Sequence, residues 1–200
     1  MNCPLISSSP YWRAKGRFVA SLNLRYDFLM DNDDNTNMTP GMTLCKSCGL
    51  CCTGHFFVWS KLRSAELDSI ESLGLKVFRE PGQRGFNQPC PLWQGQCTIY
   101  DSPHYPRFCH TYKCKLLKQL LNENICLPEA LTIVEQAKEM IEKLEYFLPA
   151  SAKDNFRERL VSHIEQGKAD DDFQRKADAL LLFLDTQFDI NDFFDSQQKV

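Results

Sequence analysis

Eight cysteines fall between positions 45 and 114, and four of them share one octet, Cys45-Lys46-Ser47-Cys48-Gly49-Leu50-Cys51-Cys52. Cys90, Cys97, Cys109 and Cys114 complete the set, while Cys3 and Cys126 stand outside it. Nothing else narrows the fold as much. Thiolate sulfur selects zinc, copper(I) or iron–sulfur centres, and a Cys-x-x-Cys step lets a tight turn put two sulfurs on one centre. The octet takes that step twice. A straight helix cannot bring all three sulfurs onto one ion. Six residues climb about 9 Å, whereas sulfurs about 2.3 Å from one zinc lie less than about 4 Å apart. The segment is expected to wrap as a loop, aided by Gly49.

The competing account of clustered cysteines is a disulfide framework. Met1-Asn2-Cys3-Pro4-Leu5-Ile6 lacks a charged segment followed by a long apolar one, so no secretory signal is read there and a cytoplasmic location is expected. In a reducing cytosol such cysteines hold a metal rather than each other. The net charge of −3 offers no basic excess for nucleic acid, and no apolar run approaches the roughly 20 residues needed to span a membrane. Two hundred residues suit one domain with an appendage.

The chain changes character along its length. Residues 1–39 form an N-terminal segment. Its Leu22, Leu24, Tyr26 and Phe28 fit a strand, and its Leu22, Tyr26 and Leu29 fit a helix. The acidic run Asp31–Asn37 reads as a flexible loop. Residues 40–115 make a cysteine-rich module with short strands at Phe56–Trp59 and Leu75–Phe78. Between them Ser64 caps a helix carrying Leu67, Ile70 and Leu73, stopped by Gly74. Turns are expected at Pro81-Gly82 and Arg84-Gly85. Over 90–114, Pro and Gly exclude regular helix for most of the length.

Residues 116–200 are helical. Leu116, Leu117, Leu120 and Leu121 form one stripe. Pro128 opens a longer helix carrying Leu131, Val134, Ala137, Ile141, Leu144 and Leu148, which Pro149 ends. A third helix starts at Ser151, with Phe156, Leu160, Val161 and Ile164 on one side and Gly167 after it. A fourth runs from about Asp170 to Leu184. The fold expected is α+β and mostly helical: a metal-organised cysteine module wrapped by the C-terminal helices.

Cys51 and Cys52 are neighbours whose side chains diverge on any regular backbone. Eight thiols therefore divide into two sets of four. One division gives Cys45, Cys48, Cys51 and Cys90 to one centre and Cys52, Cys97, Cys109 and Cys114 to another; interleaved divisions fit the spacing equally well. His55 and His110 are possible additional ligands, since imidazole also suits zinc and iron. The alternative leaves both as surface or supporting histidines. The double step with a distant Cys-Pro, here Cys90-Pro91, resembles the ligation of a [4Fe–4S] cluster in bacterial ferredoxins. Cys126 is expected to be a small buried apolar residue.

Cys45-x-x-Cys48-x-x-Cys51-Cys52, followed by Cys90-Pro91-Leu92, Cys97-Thr98-Ile99-Tyr100 and Cys109-His110-Thr111-Tyr112-Lys113-Cys114, resembles the CxxCxxCC zinc- or iron-chelating domain of the YkgJ family of cysteine-cluster proteins. The resemblance covers roughly residues 44–115. It implies that all eight cysteines are metal ligands, holding zinc or an iron–sulfur cluster. Two positions depart from the family pattern. Tyr105-Pro106 stands where Arg-Pro is usual, and His110 where an arginine is usual.

Three functional classes follow. The first is a cytoplasmic metal-binding protein. The second is a redox or protein-modifying enzyme using the centre as cofactor; a larger flagellin lysine methylase carries a similar cluster, but no Gly-rich loop for a methyl donor is present here. The third is an adaptor whose C-terminal helices and Phe188, Phe193 and Phe194 dock a protein partner. The alternative for those phenylalanines is that they cover the core.

Overall fold

A computed structural model describes residues 38–150 and 155–190. The chain divides into two units, Met1–Pro40 and Gly41–Val200, and the architecture below is that of the second. The expectations for 1–37, including the acidic loop, and those for Phe193 and Phe194 lie outside the described residues.

Helix α1, Pro40–Cys48, comes first. A three-stranded antiparallel sheet follows, built from β1 (Trp59–Lys61), β2 (Val77–Glu80) and β3 (Gln83–Asn87), with β3 in the middle. Trp59 faces Asn87 across β1 and β3, and Val77 faces Phe86 across β2 and β3. Between β1 and β2 lie a 3-10 turn, Ser64–Glu66, and α2, Leu67–Ser72. Five further helices follow among the described residues: α3 (Arg107–Thr111), α4 (Lys115–Leu121), α5 (Leu127–Glu145), α6 (Phe156–Glu165) and α7 (Asp171–Phe188). Among the described residues no helix is long and apolar enough to cross a membrane. The mostly helical α+β expectation holds.

The long helices start where capping chemistry satisfies their free N–H groups. Glu129 Oε2 accepts from the Cys126 N–H, with Pro128 in the first turn of α5. Asn155 and Glu158 form a reciprocal capping box on α6. Asp170 accepts from the Phe173 N–H at α7. The apolar stripes then meet. α5 packs on α7, α4 touches both, and Val134, Ala137, Ile141, Leu144, Leu160, Leu180 and Leu184 are buried together.

That core also takes Leu44, Leu50, Phe56 and Phe57 from the cysteine-rich half. Phe56 lies 5.1 Å from Phe188, ring centre to ring centre, and both are fully buried. Burying one such side chain is worth about 1.5–3 kcal/mol. A second, smaller core holds Leu62, Leu67, Ile70, Leu75 and Phe86, under the sheet and α2.

Several local expectations change. The octet is not wholly a loop, because α1 carries Cys45 and Cys48 before the chain breaks at Gly49. The first strand begins at Trp59 rather than Phe56, since Phe56 and Phe57 turn into the core. The second is shifted to Val77–Glu80. Arg84-Gly85 sits in a strand rather than a turn. A Cβ on Gly85 would stand 2.1 Å from the Ser60 carbonyl oxygen, so the close pairing of β1 and β3 requires the bare glycine. The 90–114 stretch contains the short α3. α5 ends at Glu145, ahead of Pro149; α6 is capped by Asn155, with 151–154 outside the described residues; and α7 runs on to Phe188.

Candidate metal centre

Six pieces of local structure place the eight thiols, and all eight are free and half-buried. Cys45 and Cys48 are three apart on α1, hence on one face. Gly49 then takes φ +73°, and the chain turns back through Cys51 and Cys52, where the Thr53 N–H and hydroxyl both donate to the Gly49 carbonyl. Cys90 follows β3, and its N–H donates to the Cys52 carbonyl at 2.7 Å. The Trp93 N–H bonds the Cys90 carbonyl at 3.1 Å, and Trp93 bridges to Cys97. Cys109 lies in α3. Cys114 caps α4, its sulfur accepting the Leu117 N–H at 3.4 Å.

These pieces are pinned to one another. The Trp93 indole lies against Gly49, where a Cβ would stand 2.1 Å from Cζ2. The Glu66 carboxylate accepts from the Arg63 N–H at 2.6 Å and from the Arg107 N–H at 2.7 Å, which ties α3 to the turn before α2. α1 leans on α4, since a Cβ on Gly41 would approach Leu121 to 3.1 Å.

The electrostatics sort the thiols into two neighbourhoods. Burial is the main cause in every case and pushes each thiol up from 9.0. Cys45 rises to about 11, Cys48 and Cys109 to about 12, and Cys51 and Cys52 well above the ordinary range. Like charge adds to this. Cys45 feels Cys114, Cys48 feels Cys114 and Cys45, and Cys51 feels Cys48, Cys114 and Cys45 together with its neighbour Cys52. Cys52 feels Cys109, Cys97 and Cys90 ahead of Cys48, and Cys109 feels Cys90 and Cys97. By these neighbours Cys45, Cys48, Cys51 and Cys114 fall on one side and Cys52, Cys90, Cys97 and Cys109 on the other, with Cys52 coupled across to Cys51 and Cys48. Compared with the division written from sequence order, Cys90 and Cys114 change places.

Other groups favour the thiolate. Backbone N–H groups two residues on face four sulfurs: Leu50 to Cys48, Leu92 to Cys90, Ile99 to Cys97 and Leu116 to Cys114. Hydrogen bonds of this kind stabilise a sulfur anion. Lys138 acts on Cys48, Lys46 on Cys97 and Lys118 on Cys114. Lys138 reaches the octet from α5, its ammonium donating to the Ser47 carbonyl at 3.3 Å. Lys46 pairs with Asp101 at 2.6 Å and lies 5.5 Å from the Tyr100 ring centre. Tyr100 and Tyr105, 4.9 Å apart, both feel Cys45 and Cys97, one thiol from each set. Burial and those thiols hold both phenols protonated. Trp93, Tyr105 and Lys138 were not singled out as site residues from the sequence. A Trp between two cysteines was the available signal for the first; nothing local marks Lys138, which sits on a helix far along the chain.

The histidines are placed differently. The Thr53 hydroxyl lies 2.5 Å from His55 Nδ1, and Nε2 lies 3.8 Å from Glu145. Its ring meets Phe156 at 5.2 Å, in the seam with the helices. His110 is exposed on α3, 6.5 Å from the Tyr105 ring. Cys126 is disulfide-bonded rather than a free buried thiol. Phe188 is buried in the core and offers no docking surface.

The donor set fits a thiophilic metal in kind and number. Among the described residues, however, no three His, Cys, Asp or Glu side chains are drawn together as an ion site, so the thiols stand as two loose sets of neutral groups. An open groove beside Tyr146, Phe147 and Lys176 lies apart and is lined by no cysteine or histidine. No protein-family model, curated protein or solved structure matches the chain.

Proposed function

We propose that this chain is a cytoplasmic metal-binding protein whose eight clustered thiols hold zinc or an iron–sulfur cluster such as [4Fe–4S]. The observation that carries this is that eight free thiols from six pieces of chain are near enough to oppose one another's ionisation. Backbone N–H groups are aimed at four of the sulfurs, and three lysines flank them. Half-buried thiols with that surround can carry negative charge that a bound cation would offset. The resemblance of the octet to the CxxCxxCC family points the same way. Bound zinc would supply folding energy, and a bound iron–sulfur cluster would supply one-electron redox chemistry. The residues themselves do three things: the thiols ligate, the N–H groups and lysines offset their charge, and Trp93, Tyr100 and Tyr105 cover the site. Free thiols need a reducing compartment.

The test is metal analysis with absorption spectroscopy on full-length protein purified without oxygen. Stoichiometric zinc, or iron with a broad band near about 400 nm, is the expected result. Protein that is folded, carries neither metal and takes up no added Zn²⁺ would overturn the proposal.

A further inference from the structure

Two thiol sets in one small region could serve one merged centre or two separate ones, and their surroundings distinguish these cases. Cys45, Cys48, Cys51 and Cys114 all pack against the large helical core. Cys90 packs instead against the small core under the sheet. Cys52 and Cys97 follow it, because the Cys52 carbonyl takes the Cys90 N–H and the Trp93 bridge ties Cys97 back to the same turn. Cys109 comes from α3, which Glu66 and contact with β1 tie to that side while the flanking Phe108 and Tyr112 rest on the large core. The peptide between Cys51 and Cys52 is the boundary.

The two sets also differ in shelter. Cys48 and Cys51 are enclosed by α1, α4 and the core, with Leu44 and Leu50 buried beside them. Cys90 and Cys97 sit in a turn-rich segment where Pro91, Gln94, Gly95, Gln96 and Thr98 are exposed.

We propose that the protein holds two distinct four-thiol centres, an inner one of Cys45, Cys48, Cys51 and Cys114 and an outer one of Cys52, Cys90, Cys97 and Cys109, and that the outer centre exchanges its metal with solution while the inner one retains it. This rests on the reading of the thiols as metal ligands. The chemical class of the exchanged ligand is a thiophilic d¹⁰ cation such as Zn²⁺ or Cd²⁺, or a chelator-borne form of it. Cys52, Cys90, Cys97 and Cys109 would hold the exchangeable metal and would each take up a proton from solvent once it was withdrawn by a chelator.

The experiment loads the full chain with Zn²⁺ and follows release to a chromophoric chelator, with timed alkylation of freed thiols read by mass spectrometry. Two equivalents are expected, released in two phases at least tenfold apart in rate. Cys52, Cys90, Cys97 and Cys109 should be alkylated in the fast phase. Cys90→Ser and Cys97→Ser should remove the fast equivalent and keep the slow one. Cys48→Ser and Cys114→Ser should remove the slow one and lower the thermal midpoint. The alkylation pattern of the unmodified protein decides the matter even if a variant fails to fold. One phase that frees all eight thiols together, or Cys90 freed with Cys48, would overturn the two-centre assignment while leaving metal binding intact. No Zn²⁺ bound at all would overturn both.

Discussion

Gly49 gives the most direct test of how the two cysteine loops are held. Replacing it with alanine does two separable things. It places a side chain at φ +73°, which costs an L-residue roughly 1–2 kcal/mol. It also drives a Cβ to 2.1 Å from Trp93 Cζ2 and 2.6 Å from Cε2 and Cη2. The indole is rigid, and its backbone is tied to both Cys90 and Cys97, so yielding means shifting the outer thiol turn. Overpacking of this kind costs about 1–3 kcal/mol. Gly49→Ala should thus destabilise the protein by roughly 2–5 kcal/mol, measured by urea unfolding followed by circular dichroism. The contributions separate in the Trp93→Ala background, where the clash is absent and the same substitution should cost only roughly 1–2 kcal/mol. An equal cost in both backgrounds would show that Trp93 does not restrain the octet, and a neutral Gly49→Ala would refute both parts of the reasoning.

Stability of the metal-free protein should fall as pH rises. Burial raises Cys45 from 9.0 to about 11 and Cys48 and Cys109 to about 12, so the folded state holds these protons more tightly. The stabilisation is complete below about pH 9 and is lost as pH climbs toward 11–12; Cys45 alone accounts for roughly 2–3 kcal/mol. Urea midpoints at pH 7.5, 9 and 10.5 should decline in order, whereas metal-loaded protein, its thiols already deprotonated, should instead weaken in acid; flat midpoints for both forms would contradict the burial of the thiols. At the start of α6, Asn155→Ala should cost about 1 kcal/mol by removing the acceptor for the Glu158 N–H, and Asn155→Ser should restore most of it. Equal thermal midpoints for those two variants would show that the cap does not hold the helix end.

The helices were legible because their signal is local. Val134, Ala137, Ile141, Leu144 and Leu148 repeat at helical spacing and are buried as that spacing demands, and Pro128 marks the first turn of α5. β3 was not legible. Gln83-Arg84-Gly85-Phe86-Asn87 has one large apolar residue, and it is a strand because β1 and β2 flank it on both sides. The octet misled for a different reason. Asking all three spaced sulfurs to reach one ion forced a loop, but helix to Cys48 and a left-handed turn at Gly49 also satisfy the chain. That eight cysteines crowd one stretch of the chain was plain from spacing alone; which of them neighbour one another was not. Cys90 is nearer in sequence to the octet than Cys114, yet Cys114 caps the helix that α1 leans on, while Cys90 is bonded to the far side of Cys51-Cys52. Sequence distance carries no information about which side of a turn a later strand will reach.

The small core explains why the thiols stand where they do. Five buried side chains, Leu62, Leu67, Ile70, Leu75 and Phe86, hold the sheet and α2, too few to offset the ordering of the turns that run from β3 to α3. Those turns gain few backbone ladders, and their exposed Pro, Gly and Gln residues bury little. Their fixed points include the Cys52–Cys90 backbone bond, the Trp93–Cys97 bridge, the Glu66 contact with α3 and the Lys46–Asp101 pair. The first three lie at or within two residues of a cysteine of the outer set. The helical core, by contrast, is closed by its own stripes and by Phe56, Phe156 and Phe188, and needs no ligand to exclude water. A metal on the outer thiols would therefore contribute most where hydrophobic burial contributes least. On the proposed reading, that division would make the outer set the place where metal binding and local order are most tightly coupled.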